Sequence, residues 1–277
     1  MRLRDGSLNN EPFNLAAALR QIQLFLFLAA FALMWNDTLL GFQFPGKFAR
    51  WPDLFLLAMT VVSTMTAASR RLPAQNVVFA AVVALGTGGF ALTVAVALGT
   101  PLAPRFDSGF GGPELLRTFP WPLPIVWLIA IINARGVGQL LFRSTKGTSG
   151  YGIRVFGATA LLTTLFEMAF QPFASNVQHY WTWPASQTPL LGARVPYFVA
   201  FLLLVLVLLL MITPLLIDKK PGEAPPNYRP LANYVLLNSL FATGAAVHHL
   251  WLAFACSAAA ILAAAIPLTR KQPAVPV

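Results

Sequence analysis

Residues 231–268, LANYVLLNSLFATGAAVHHLWLAFACSAAAILAAAIPL, decide how many times the chain crosses a membrane. The run contains no Asp, Glu, Lys or Arg. A membrane helix needs roughly 20 apolar residues. At about 1.5 Å per residue, this run as one helix would reach roughly 57 Å, nearly twice the hydrocarbon core. Two helices over 231–247 and 250–268, turning at His248 and His249, fit the bilayer instead.

Outward from that stretch the same reading gives six further apolar segments, at 19–40, 51–69, 76–98, 119–142, 153–171 and 195–217. Of the 277 residues only 10% are charged and 57% are hydrophobic. A soluble domain carries about 25% charge, so lipid must solvate much of this surface. The fold class is an all-α integral membrane protein of about eight transmembrane helices. The chain reads as a single polytopic membrane domain over 1–277 with no soluble domain and no internal repeat. The N-terminal stretch MRLRDGSLNNEPFN lacks the compact pattern of a secretory signal, so the first apolar segment is expected to stay as an anchor.

The count of eight also organises the charge. With eight spans, Arg2, Arg4, Arg20, Arg70, Arg71, Arg135, Arg143, Lys146, Arg154, Lys219, Lys220, Arg229, Arg270 and Lys271 share one side. Lys47, Arg50, Arg105, Arg117 and Arg194 share the other. Seven spans would move Arg270 and Lys271 across and blunt the asymmetry. The positive-inside rule then puts both termini in the cytoplasm and the protein in the cell membrane as a multi-pass chain. It also accounts for the net charge of +10 as topology, which argues against nucleic-acid binding. The partners expected are membrane lipid and an apolar small molecule.

Several chemistries fail on residue counts. One cysteine, Cys256, allows no intrachain disulfide and no cysteine metal cage. Three histidines cannot build a membrane di-iron centre, and adjacent His248 and His249 point about 100° apart on a helix. No aspartate-rich pair is present to hold magnesium and a diphosphate, and no metal site is expected. The run Gly86-Thr87-Gly88-Gly89 lies inside an apolar span with no strand before it, so close helix packing explains it better than a dinucleotide loop. Gly136-Val137-Gly138 reads the same way.

What remains is the segment 159–184, TALLTTLFEMAFQPFASNVQHYWTWP. Its helical part carries one carboxylate, Glu167, with Gln171 four residues on and therefore on the same face. Pro172 is expected to stop the helix, which leaves Glu167 one turn from the outer end. Acids inside membrane spans usually face the bundle interior and mark a pathway or a site. A neutral carboxyl in an apolar pocket is a proton donor, which electrophilic addition to an alkene requires. The alternative is a structural hydrogen bond to Thr163, Thr164 or Asn133. Asp37, at the outer end of the first span, reads as solvated, and Asp107 lies in an outer loop. Trp127 lies one or two turns inside the fourth span. Trp35, Trp51, Trp121, Trp181, Trp183 and Trp251 fall at outer ends or in outer loops, as interfacial anchors or as an aromatic vestibule.

Six pieces of sequence, in order, resemble the carotenoid biosynthesis membrane proteins that include the bisanhydrobacterioruberin hydratases. Gly99-Thr100-Pro101-Leu102-Ala103 is similar to a Gly-x-Pro segment of that family. Gly112-Pro113-Glu114-Leu115-Leu116, followed by Trp121-Pro122-Leu123-Pro124-Ile125-Val126-Trp127, resembles its Gly-Pro-x-Leu-Leu and Val-Pro-Leu-Ala-Trp run. Thr163 through Pro172 is similar to its acid-bearing element, and Trp181-Thr182-Trp183 with Val195-Pro196-Tyr197 to its later Trp-x-Trp and Val-Pro sequences. The resemblance covers 85–217. It implies acid-catalysed water addition to a terminal alkene of a carotenoid or isoprenoid, a hydratase (lyase) activity that needs no cofactor. In that reading Glu167 is the acid, Gln171 orients water or the acid, and Asp107 is a possible second carboxylate. His179, Trp181, Trp183 and Trp127 contact the substrate. Gln171 stands where the family pattern leads one to expect a second acid. The other reading is a non-enzymatic carrier of lipid or pigment, or a membrane scaffold, and near-absence of mid-membrane charge argues against ion transport.

Overall fold

The computed structural model describes residues 15–41, 51–100, 102, 105–106, 114–115, 119–182, 191, 193–217 and 226–269. Eight helices in it are long and apolar enough to cross a membrane. They are α1 (Leu15–Leu40), α2 (Trp51–Ala68), α3 (Ala74–Leu98), α4 (Pro122–Leu141), α5 (Tyr151–Pro172), α6 (Val195–Ile212), α7 (Arg229–Val247) and α8 (Trp251–Thr269). Four two-residue strands lie between the helices: β1 (Arg105–Phe106), β2 (Glu114–Leu115), β3 (Phe119–Pro120) and β4 (Trp181–Thr182). β1 pairs antiparallel with β4, setting Phe106 opposite Trp181, and β2 pairs with β3.

Helices α4, α5 and α7 are the most buried and α1, α3 and α8 the least. The division follows side-chain chemistry. The central helices carry the buried amides and the acid, Asn133, Glu167, Gln171, Asn233 and Asn238. The rim turns apolar chains outward, for example Val199, Leu203, Val207 and Leu210 along one face of α6. Such continuous apolar surface suits lipid and not water. Threonines inside the bundle satisfy their hydroxyls locally, as Thr38, Thr60 and Thr159 each donate to the carbonyl four residues back. A polar knot ties α2, α4 and α7. Asn133 Nδ2 donates to Thr64 Oγ1 at 2.9 Å, Asn233 Nδ2 donates to Asn133 Oδ1 at 3.3 Å, and Ser63 donates to Asn233 Oδ1 at 3.0 Å. Each amide thus has a partner across a helix boundary, which stands in for the water absent from a bilayer.

Small residues let the helices approach. A Cβ on Gly88 of α3 would rest 3.5 Å from the Trp127 ring of α4, and one on Gly136 would collide with the Pro230 ring of α7. A Cβ on Gly244 of α7 would meet Phe173 Cδ2 at 2.8 Å and Thr38 Cγ2 at 3.3 Å. Gly244→Val is therefore expected to destabilise the bundle by about 1–3 kcal/mol, the usual overpacking cost, seen as a lower melting temperature in detergent. An unchanged melting temperature would mean that Phe173 yields without cost.

The break between α7 and α8 falls at His248 and His249. The N–H of Leu250 reaches back to Ala245 O at 2.8 Å and that of His249 to Ala246 O at 3.2 Å. This is a Schellman cap, whose left-handed residue is usually glycine. Here His249 occupies it at φ 56°. At the end of α3 the same cap uses Gly99 at φ 62°, with Thr100 bonded to Ala95 O. His249→Gly is thus expected to stabilise the chain by about 1 kcal/mol, measured by thermal unfolding. A loss of stability would assign the imidazole a contact worth more than the strain.

One expectation needs correction. Pro172 does not stop α5. The helix runs on through a π turn at Phe173–Val177, giving a span of 27 residues over Tyr151–Val177. Proline lacks an N–H, which removes one bond of the α ladder. The wider turn absorbs the gap, with Gln178 N–H bonded to Phe173 O at 2.9 Å and the Ser175 hydroxyl to Gln171 O at 2.9 Å. Glu167 consequently sits about two and a half turns from the helix end and not one, deep in the bundle.

Candidate functional site

Two stripes of α5 are buried side by side. Val155, Thr159, Leu162, Phe166, Ala169 and Phe173 recur every three or four residues and face the core. Ala160, Thr163, Glu167, Gln171 and Ala174 form the adjoining stripe. Glu167 is fully enclosed. Its neighbours come from three directions. Trp127 arrives from α4, one and a half turns beyond a start marked by Pro122 and Pro124, and Tyr197 from the first turn of α6, just after Pro196. Proline suits a first helical turn, where its missing N–H costs nothing. Gln171 lies one turn along α5 itself.

These groups form one directed hydrogen-bond chain. Trp181 Nε1 donates to Gln171 Oε1 at 3.1 Å. Indole is a donor only, so the Gln171 amide must present its oxygen to Trp181 and its nitrogen to the other side. Gln171 Nε2 then donates to Glu167 Oε1 and to the Tyr197 hydroxyl oxygen, each at 2.7 Å. With its oxygen accepting from Gln171, Tyr197 turns its own O–H onto Glu167 Oε1 in a short hydrogen bond. Trp127 Nε1 adds a longer donation to the same oxygen at 3.4 Å. Glu167 Oε1 therefore receives three donors, while Oε2 is buried with no hydrogen-bond partner among the described residues. A proton on this carboxyl must sit on Oε2, because Oε1 is crowded with N–H and O–H groups.

Aromatic rings wall the chain in. Trp127 lies against Phe201 with centroids 5.3 Å apart, and Tyr197 stacks on Phe201 at 6.2 Å. Trp181 meets Phe170 edge-on at 5.7 Å, and its backbone is held in the β1–β4 ladder. Beside α5 is a cavity of about 80 Å³, lined by Val126, Phe166, Phe170, Tyr180 and Phe241 among others. Glu167 itself does not line it. Asp53, in the first turn of α2, does.

A model of the carotenoid biosynthesis protein family matches residues 51–265, most of the chain. The chain belongs to the carotenoid biosynthesis protein family. The match takes in α2 and the first part of α3 ahead of the stretch 85–217 that carries the resemblance in sequence, and α7 and most of α8 after it. No curated protein and no solved structure matches the chain at a significant level.

Four of the sequence-predicted site residues of this carotenoid biosynthesis protein, Glu167, Gln171, Trp127 and Trp181, come together in one network. His179 does not join it. It is exposed at the end of the π turn with φ 53°, its Nδ1 3.2 Å from Ser175 O. Asp107 and Trp183 lie outside the described residues. The structural alternative for Glu167 also changes partners. Asn133 bonds within the Thr64–Asn233 knot, Thr164 bonds to Ala160 O, and Thr163 Oγ1 has no described partner. Sequence reasoning did not single out Tyr197, because a tyrosine at the start of a span reads as an interfacial anchor. It also passed over Asp53, because an acid in a first turn simply complements the helix dipole. Gln171, where a second acid was expected, does what a carboxylate cannot, donating to two oxygens at once.

Proposed function

We propose that this protein adds water across a terminal alkene of an acyclic carotenoid or related isoprenoid, with Glu167 as the acid. The observation that carries this reading is the asymmetry of the Glu167 carboxyl, with three donors on Oε1 and none described on Oε2. In the first step the alkene π pair takes the proton from Oε2, forming a C–H bond and leaving a tertiary carbocation. The negative charge left on Glu167 is met by the N–H and O–H groups of Trp127, Gln171 and Tyr197, already aimed at it. Donors fixed in advance around a developing charge often contribute more to catalysis than any other effect. The rings of Trp127, Tyr197 and Phe201 offer π faces to a positive charge. In the second step a water lone pair forms the C–O bond, and the proton lost from that water returns to Glu167. Atoms and charge balance with no further reactant. In this reading the chain is a multi-pass protein of the cell membrane with both termini cytoplasmic. A periplasmic reporter fused after residue 277 should then stay silent.

A second reading rests on the complete enclosure of Glu167. A closed knot joining α4, α5 and α6 also suits a holder of lipid or pigment that does no chemistry. Expression in cells that make acyclic carotenoids separates the two. A pigment gaining one water supports the hydratase, and pigment recovered unchanged with the purified protein supports the holder.

A further inference from the structure

At the far end of the bundle from Glu167, the ends of α2, α4 and α6 and the starts of α5 and α7 enclose a cavity of about 450 Å³. That volume is typical of small-molecule sites. Arg71, Arg135, Arg143 and Lys146 line it, and none of the described residues lining it is acidic. Tyr151 and Asn227 add polar groups, while Ile132, Val155 and Leu216 give an apolar wall. Positive-inside topology explains basic residues at helix ends, but not the position of Arg135. It lies six residues before the end of α4, partly buried, with both flanking turns packed in the bundle. Guanidinium has five N–H donors. The one hydrogen bond described for Arg135 is to Leu216 O at 3.2 Å, and its side chain lines the cavity. Tyr151 lines the same cavity as Arg71 and Arg135.

We propose that this cavity binds a phosphate group, with any chain attached to it lying along the Ile132–Val155–Leu216 wall. Arginine matches phosphate with paired N–H donors, and basic pockets between membrane helices are suited to anionic headgroups. An uncharged carotenoid has nothing to offer four cations, so the site is separate from the one around Glu167. The phosphate can belong to a bilayer lipid or to a soluble phosphate compound.

Native mass spectrometry of the full chain distinguishes these sources, with phosphatidylglycerol, phosphatidylcholine and inorganic pyrophosphate as probes. The expected result is a phosphatidylglycerol or pyrophosphate adduct that survives activation which strips phosphatidylcholine. Retention of phosphatidylglycerol alone identifies a lipid head, and retention of pyrophosphate identifies a soluble phosphate. Affinity should fall about fivefold for each cation removed in Arg135→Gln and in Arg143→Gln/Lys146→Gln. The second variant changes exposed side chains only and keeps the test open if Arg135→Gln misfolds. Equal retention of all three probes, retention of none, or no change in the double variant would overturn the proposal.

Discussion

Under the proposed hydratase reading, Glu167→Gln is expected to lower the rate of water addition by at least about a hundredfold, the usual worth of a positioned general acid. The substitution keeps the shape of the side chain and leaves an amide oxygen to accept from Trp127, Gln171 and Tyr197. It removes the transferable proton and nothing else of comparable size. The new N–H₂ group occupies the position of Oε2, which has no described partner. A stability loss of about 1–3 kcal/mol is therefore expected alongside, and the rate must be compared between folded samples. Pigment analysis by mass, normalised to folded protein, gives the answer. A rate within a few fold of the wild type would remove Glu167 from the mechanism.

Tyr197→Phe has the second-largest expected effect. It deletes the hydroxyl that donates to Glu167 Oε1 and accepts from Gln171, while the stacking on Phe201 is kept. Loss of one preorganised donor to a developing anion costs about a hundredfold in rate. Loss of one neutral hydrogen bond costs only about 1 kcal/mol in stability. The two readouts therefore separate the roles. A large fall in rate with a small fall in melting temperature fits a donor to the leaving carboxylate. A large fall in melting temperature with an unchanged rate would make Tyr197 a structural tie between α5 and α6.

Much of the fold is legible in the sequence because lipid imposes one requirement on every span. The apolar runs at 51–69 and 195–217 need no partner to be recognised, since length and lack of charge suffice. The same arithmetic splits 231–268, and the structure turns there. Pro172 misleads because the rule that proline ends helices assumes nothing else can take up the missing bond. Here a π turn does, and Glu167 lies deeper as a result. The site is legible only in part. Glu167 stands out because a carboxyl inside an apolar span is costly. Trp181 and Tyr197 look like interfacial anchors, since aromatic residues near a span end nearly always read that way. Their inward turn depends on tertiary contacts, the pairing of Phe106 with Trp181 and the stacking of Tyr197 on Phe201. No local pattern encodes those.

We propose that the carboxyl of Glu167 protonates an alkene to which water then adds. The most direct test is to incubate the purified protein, in lipid nanodiscs, with an acyclic carotenoid in water enriched in heavy oxygen. The expected product carries one added water with the heavy isotope in its hydroxyl group and is absent from the Glu167→Gln sample. Carotenoid recovered bound and unchanged by the folded wild-type protein, across acyclic substrates, would contradict it.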